Sequence, residues 1–487
     1  MTTLSPPDQQ VLTEDDKTKI VVTALLCMFL AALDQTIVTP ALPVMGASLG
    51  GGEWVSWIVS AYFLTATAVT PLYGKLADLK GRRPVLYAGV GIFVAGSLIS
   101  AIAPSMAVLI AGRALQGLGG GGLMALVQTI IGDVAPPRER GKYMVYISAV
   151  WATSSVAGPV LGGLLAEYVH WSAIFWLNLP LGALAVGLSL KPLSRLPDIR
   201  RDHRLDVAGA LMIMAATLLF LLPLTLGGHS YPWSSPLILG MLALSAAAFV
   251  LFAWYQFQPA EPLLPPRIFG DRVITLTSAA SFLAGAGMFG LSVYFPVYLQ
   301  LIDGFGASAA GLALLGPMIG SVAGSNISAR ILRKGRRYKR LPMIGSLLSA
   351  VALAAVGLFA GNVPFWAIEA LAVLTAFGQG TLFPVATVMV QNAADPRDLG
   401  TATGAYTFVR SLGAVVAIAV LGAIVGSAGI GDHISEGALD PAAREGAVAA
   451  FQALFATAAV AQLISLALLA RIEERPLRGR TPPPVED

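Results

Sequence analysis

The sequence predicts an all-α integral membrane protein of fourteen transmembrane helices, two six-helix bundles with two extra helices between them. Three observations lead there. Of 487 residues, 56% are hydrophobic and only 12% charged, about half the charge of a soluble domain, and the mean hydropathy is +0.74. Apolar runs of about 20 residues, long enough to cross the hydrocarbon as a helix, recur along the whole chain. Two short basic motifs of the first half return, in the same order, in the second.

The runs cover approximately 20–43, 54–73, 84–103, 106–131, 143–166, 171–190, 205–227, 235–257, 273–299, 307–329, 341–360, 364–390, 400–427 and 447–470. They divide the chain into a cytoplasmic tail (1–19), an N-terminal six-helix bundle (20–190), a cytoplasmic linker (191–204), two additional helices (205–257), a second linker (258–272), a C-terminal six-helix bundle (273–470) and a cytoplasmic tail (471–487). The first tail is polar and has neither the basic start nor the cleavage site of a signal peptide.

An even number of spans puts both termini on one side, and Lys and Arg mark that side as cytoplasmic. Of the 31 basic residues, 28 fall in the segments assigned to the inside, Arg113 and Arg410 lie within spans, and only Arg444 lies outside. A different parity would scatter them over both faces; twelve spans is the alternative count. The formal charge of +4 therefore reflects anchoring at the inner face and not nucleic-acid binding. Cys27, the lone cysteine, sits in an apolar run and reads as a small buried hydrophobe.

The loop after the second span reads Gly74-x-x-x-Asp78-x-x-Gly81-Arg82-Arg83, and Gly335-Arg336-Arg337 follows the tenth, with Leu332 in place of Asp78. Pro137-Arg138-Glu139-Arg140-Gly141 is likewise matched by Pro396-Arg397-Asp398-Leu399-Gly400. Both pairs are separated by nearly the same length of chain. A six-helix unit repeated in one orientation, with two helices inserted between copies, explains this, and such parallel halves mark a transporter architecture.

These residues resemble the major facilitator superfamily, in particular its fourteen-span drug:proton antiporter branch. The inner loop from Gly74 to Arg83 carries the likeness, as does Leu33-Asp34-Gln35-Thr36-Ile37-Val38-Thr39-Pro40-Ala41-Leu42-Pro43, where Thr39-Pro40 replaces the usual Asn-Val. Arg113-Ala114-Leu115-Gln116-Gly117 with the following glycines is similar to the family's proton-linked motif. Gly158-Pro159-Val160-Leu161-Gly162-Gly163 resembles its antiporter motif, with Ser154 where an earlier glycine is usual; near Ala417-Ile418 the second half has no such Gly-Pro. The resemblance covers residues 20–470. It implies a proton-coupled exporter of amphiphilic drugs working by alternating access, in the cytoplasmic membrane, powered by the proton gradient without a cofactor.

A charge retained at mid-membrane costs at least about 2.5 kcal/mol on insertion scales and needs a reason. Counting helical rise puts Asp34 and Arg113 at similar depth. In the family fold both flank a central cavity, where a carboxylate moving between dry and cation-paired surroundings acts as a proton switch; the competing reading is a static pair that fixes helix packing. Glu369, near the outer end of the twelfth span, is a second proton carrier, a site for cations, or a residue reaching the interface. Trp57, Tyr62, Gln116, Asn326, Gln379 and Arg410, with Glu369, are the candidate substrate contacts. Gly74, Asp78, Gly81, Arg82 and Arg83 make a candidate latch, and Gly158, Pro159, Gly162 and Gly163 a candidate bend.

The partners expected are the lipid bilayer, protons and a small amphiphilic substrate, with the protein acting as a monomer in a bacterial membrane. A dedicated exporter of an endogenous lipid, siderophore or self-made antibiotic is the alternative. A membrane-embedded enzyme or receptor is remote: no span pairs His or Asp at metal spacing, no phosphate-binding Gly-x-x-x-x-Gly-Lys-Ser loop occurs, and no metal site is expected. The topology is testable by cysteine labelling. In right-side-out vesicles, a cysteine introduced by Arg336→Cys stays unmodified by an impermeant reagent; modification from outside refutes the fourteen-span count.

Overall fold

The computed structural model describes residues 13–50, 54–196, 206–227, 231–259, 261–305, 307–334, 337–426 and 441–477. Gly335 and Arg336 of the second basic motif, and most of the 191–204 linker, of both tails and of the loop between the last two spans, lie outside them. Thirteen helices among the described residues are long and apolar enough to cross a membrane. The 26-residue helix Val55–Lys80, richer in Ser, Thr and Tyr, is the fourteenth.

In chain order these are α1 (Glu14–Ile37), α2 (Val55–Lys80), α3 (Arg82–Ala101), α4 (Met106–Val134), α5 (Pro137–Tyr168), α6 (Ala173–Leu193), α7 (Val207–Leu226), α8 (Pro236–Tyr255), α9 (Arg272–Leu301), α10 (Leu315–Lys334), α11 (Arg340–Phe359), α12 (Phe365–Ala393), α13 (Leu399–Gly426) and α14 (Pro441–Ala470). The internal repeat of the sequence is a repeat of packing. α1 packs on α5 and α6 as α9 packs on α13 and α14; α2 and α3 flank α4 as α10 and α11 flank α12.

Local sequence explains where the helices start and break. Thr13 and Asp16 form a capping box at the start of α1, whose first turn is acidic, as the helix dipole favours. The helix therefore starts six residues before the apolar run. It was expected to run on to Pro43, but it ends at Ile37, gives way to the 3-10 turn Thr39–Ala41 and resumes as Leu42–Leu49, because Pro40 has no N–H to donate and its ring crowds the preceding turn. Asp34 thus lies one turn before a break. In α9 the residues Gly290–Tyr294 form a π turn just before Pro296, a helical adjustment that absorbs a proline.

Glycines let α4 approach α2 closely. A Cβ at Gly121 would lie 2.5 Å from Ala66 Cα and 2.6 Å from its carbonyl carbon, so only glycine fits at that crossing. α5 runs helical through Gly158 and Pro159. There Gly158 faces Thr36 and Gly162 faces the Ile37 carbonyl, while Gly163 has nothing within 4 Å; the expected bend motif is a close contact with the broken end of α1.

The α7–α8 hairpin packs on α2 and touches α13, so it contacts both bundles. Asp206 anchors it. Its carboxylate caps α7 at Gly209 N (2.7 Å) and accepts from Gln256 Nε2 (3.0 Å) and Leu263 N (3.2 Å), which draws the second linker under the hairpin. At the same end, the chain after α14 is held by Tyr338, whose hydroxyl donates to the Arg475 carbonyl at 2.6 Å and is pushed up to about 12 by burial. Arg475 in turn pairs with Asp271 at 2.7 Å.

The Gly121 contact gives a direct test. Gly121→Val is expected to lower stability by about 1–3 kcal/mol through overpacking, read as a lower Tm in detergent, whereas Gly163→Val leaves the Tm in place.

Candidate functional site: a buried charge network and a latch between the bundles

Asp34 and Arg113, apart in sequence, meet inside the N-terminal bundle, where they are 0% and 1% exposed. Arg113 Nη1 donates to Asp34 Oδ2. Neutral groups bond both members further. Arg113 Nε donates to the Ile58 carbonyl at 3.1 Å and Nη1 to Gln116 Oε1 at 2.9 Å, while the guanidinium lies 4.6 Å from the centre of the Tyr62 ring. Asp34 Oδ1 accepts from Gln116 Nε2 at 3.1 Å and from Asn178 Nδ2 at 2.8 Å. Ser97 Oγ accepts from both amides, at 3.0 and 2.9 Å, and donates to the Phe175 carbonyl at 3.1 Å. Five helices thus converge on one ion pair, and hydrogen bonds to both of its members are what a buried pair needs to be tolerated.

Asp34 and Arg113 do not line an open cavity in this conformation, and Tyr62 and Gln116, read as substrate contacts, belong to the buried network. The other candidates are not brought together. Gln379 is buried and bonds Gln462 Oε1 of α14 at 3.2 Å. Asn326 is half-buried and bonds the Val322 carbonyl of its own helix; Trp57 is half-buried near the start of α2. Arg410, also half-buried, lies over the Phe383 and Tyr406 rings at 5.4 and 5.9 Å. Glu369 sits on α12 against Gly316 of α10, with its Oε2 buried and without a hydrogen-bond partner.

The basic loop is a second centre. Asp78 lies in the last turn of α2, and Gly81 then turns the chain with φ +88°, a conformation that glycine takes without strain. Arg82 Nη1 meets Asp78 Oδ1 at 2.5 Å and its Nε meets Asp133 Oδ2 of α4 at 2.7 Å. The Asp78 carboxylate also accepts from Gly400 N (3.1 Å), Thr401 N (2.6 Å) and Thr401 Oγ1 (2.7 Å). It therefore caps the N-terminus of α13, where a carboxylate is favoured, and ties the first bundle to the second. Gly74 lets α13 come close: a Cβ there would be 2.6 Å from the Gly400 carbonyl oxygen. Arg83 is exposed and lies 5.7 Å from the Tyr87 ring, outside the latch.

Further bonds between the bundles run from mid-depth toward this same end: Ser148 to Ser325 (2.7 Å) and Gln391 Nε2 to the Gln128 carbonyl (2.9 Å). The reading of the sequence missed Ser97, Asn178, Asp133 and Thr401. Asn178 had a signal, a lone amide within an apolar span; Ser97 and Thr401 had none, since small hydroxyls are common in such helices.

Comparison with known proteins follows the same lines. The model of the Major Facilitator Superfamily matches residues 24–418, and again 344–486. The chain belongs to that superfamily, as a membrane transporter and not an enzyme. It is 32% identical over 400 residues to the multidrug transporter protein MdtP of Bacillus subtilis, covering 82% of this chain and 74% of that one. It is 35% identical over 398 residues to an uncharacterised MFS-type transporter of Mycobacterium tuberculosis, covering 81% of this chain but 58% of the relative's length. The human organic anion transporter MFSD10 has the same fold, with a TM-score of 0.64 at 17% identity over 96% of this chain and all of that one.

The latch geometry sets an expectation. Asp78→Asn keeps the shape but loses the charge at the α13 N-terminus and opposite Arg82. Transport is expected to fall at least about tenfold with substrate affinity changed less than about twofold; a normal transport rate removes the latch role.

Proposed function

We propose that the protein exports amphiphilic small molecules from a bacterial cytoplasm or inner leaflet in exchange for protons, by rocking of the two bundles. The observation that carries this reading is the ion pair of Asp34 and Arg113 kept inside a membrane bundle. Charges cost energy there, and among the acids described within the spans Asp34 is the one that meets a guanidinium deep in the first bundle. The name of the MdtP relative supports multidrug export.

In the conformation described, the latch and the bonds between the bundles hold together the end that carries the basic loops. Asp34 is then sealed among α1, α2, α3, α4 and α6. Proton exchange requires the bundle to open enough for water to reach it. Protonation neutralises the carboxylate and loosens its hold on Arg113; proton loss on the other side restores it. One proton crossing 100 mV supplies about 2.3 kcal/mol, enough for a modest uphill gradient of substrate. Glu369, with an unpaired carboxyl oxygen on α12, serves cationic substrates or a second proton, and Trp57, Asn326 and Arg410 supply further substrate contacts. Both termini are cytoplasmic, the protein works as a monomer, and no cofactor takes part.

Purified protein in liposomes with an imposed pH gradient tests the reading. Asp34→Asn mimics the neutral acid and is expected to abolish pH-driven efflux while binding of neutral substrates stays nearly unchanged. Wild-type proton-driven rates in that variant would move the role to Glu369, and gradient-independent turnover of the wild type would exclude antiport.

A further inference from the structure

We infer that Asn178 of α6, supported by Ser97 of α3, is a positioning residue for proton exchange at Asp34. Its amide holds the carboxylate when the acid is charged and, by turning over, accepts from it when it is protonated. The inference rests on Asp34 being the proton carrier.

The chemistry of the surrounding groups singles out this amide. Arg113 on α4 and the Tyr62 hydroxyl on α2 are the charged and titratable groups whose fields Asp34 shares; α3 and α6 meet it with neutral Ser97 and Asn178, and α5 packs on α1 at Ser154 through Thr36 Oγ1. A carboxylate only accepts hydrogen bonds, whereas a carboxylic acid also donates one and needs an acceptor. Arg113 has none to offer. Gln116 Oε1 is already taken by Arg113 Nη1 at 2.9 Å and Ser100 Oγ at 3.3 Å. Asn178 carries a donor and an acceptor on one rotor, 2.8 Å from Asp34 Oδ1. Its other neighbour, Ser97 Oγ at 2.9 Å, is a hydroxyl that donates or accepts and so follows either orientation of the amide.

The second bundle shows a comparable amide pair without the acid. Gln379-Gly380 of α12 repeats Gln116-Gly117 of α4, and Gln462 comes from α14, the counterpart of α6. The place corresponding to Asp34 on α9 is Gly287, where a Cβ would lie 2.7 Å from Gln379 Nε2 and 3.6 Å from Gln462 Oε1. With no carboxylate present, Gln379 Oε1 and Gln462 Nε2 are buried and unpartnered. The amide pair of the C-terminal bundle is thus a built-in control, similarly buried on the counterpart helices but lacking anything to protonate.

Initial rates of substrate efflux from proteoliposomes over a pH series, with substrate affinity measured in parallel, test the inference. Loss of a donor to the charged form favours the protonated acid. Asn178→Ala is therefore expected to move the pH of half-maximal exchange up by about one unit with affinity changed less than about twofold, Asn178→Gln to restore part of the shift, and Gln462→Ala to leave the profile in place. If Asn178→Ala proves too unstable to purify, Asn178→Ser carries the same expectation. An unmoved profile in a folded Asn178 variant, or an equal shift in Gln462→Ala, overturns the inference while Asp34→Asn still abolishes exchange. Normal pH-driven exchange by Asp34→Asn overturns the underlying reading as well.

Discussion

The ion pair between Asp34 and Arg113 is the constraint around which the first bundle is built. An ionised pair in hydrocarbon is tolerated when further partners support both of its members. Ser97, Gln116, Asn178, the Ile58 carbonyl and the Tyr62 ring supply those partners from α2, α3, α4 and α6. Removing one partner of a buried pair costs about 3–5 kcal/mol, so the pair fixes how these helices pack.

The two bundles share a packing plan but differ in chemistry. Where the first has Asp34, the second has Gly287; where the first has Arg113, the second has Ala376; and Asp78 of the first basic loop has become Leu332. The shared plan gives two bodies of similar shape that close against each other. The lost charges leave one bundle to hold the ion pair and to provide the acid of the latch, which then acts on the other by capping α13.

Close approach of backbones makes such packing possible in a medium with no hydrophobic force between helices. Glycines at the α2–α4 crossing, and Gly74 against Gly400 between the bundles, bring main chains within contact of one another. The bundles also meet through larger side chains, with Leu332 beside Gly141 and Leu399 beside Gly132, and through a few polar bonds.

The sequence by itself determined the number and order of the spans, the internal repeat, the superfamily, and the similar depth of Asp34 and Arg113, because span length, basic-loop parity, motifs and charge at mid-depth are local properties that leave a mark in the chain. It located Gly81, Asp78 and Arg82 as a unit for the same reason. Only the tertiary structure decided what surrounds them. Asn178, Ser97, Asp133 and Thr401 act through partners between about 50 and 320 residues away in the chain, which no spacing rule reveals. The early end of α1, where Pro40 removes a hydrogen-bond donor, and the burial of Tyr62, Gln116 and Gln379 within bundles instead of in a shared cavity also appear only once the helices are packed, because which face of an almost wholly apolar helix turns inward is set by its neighbours and not by its own pattern.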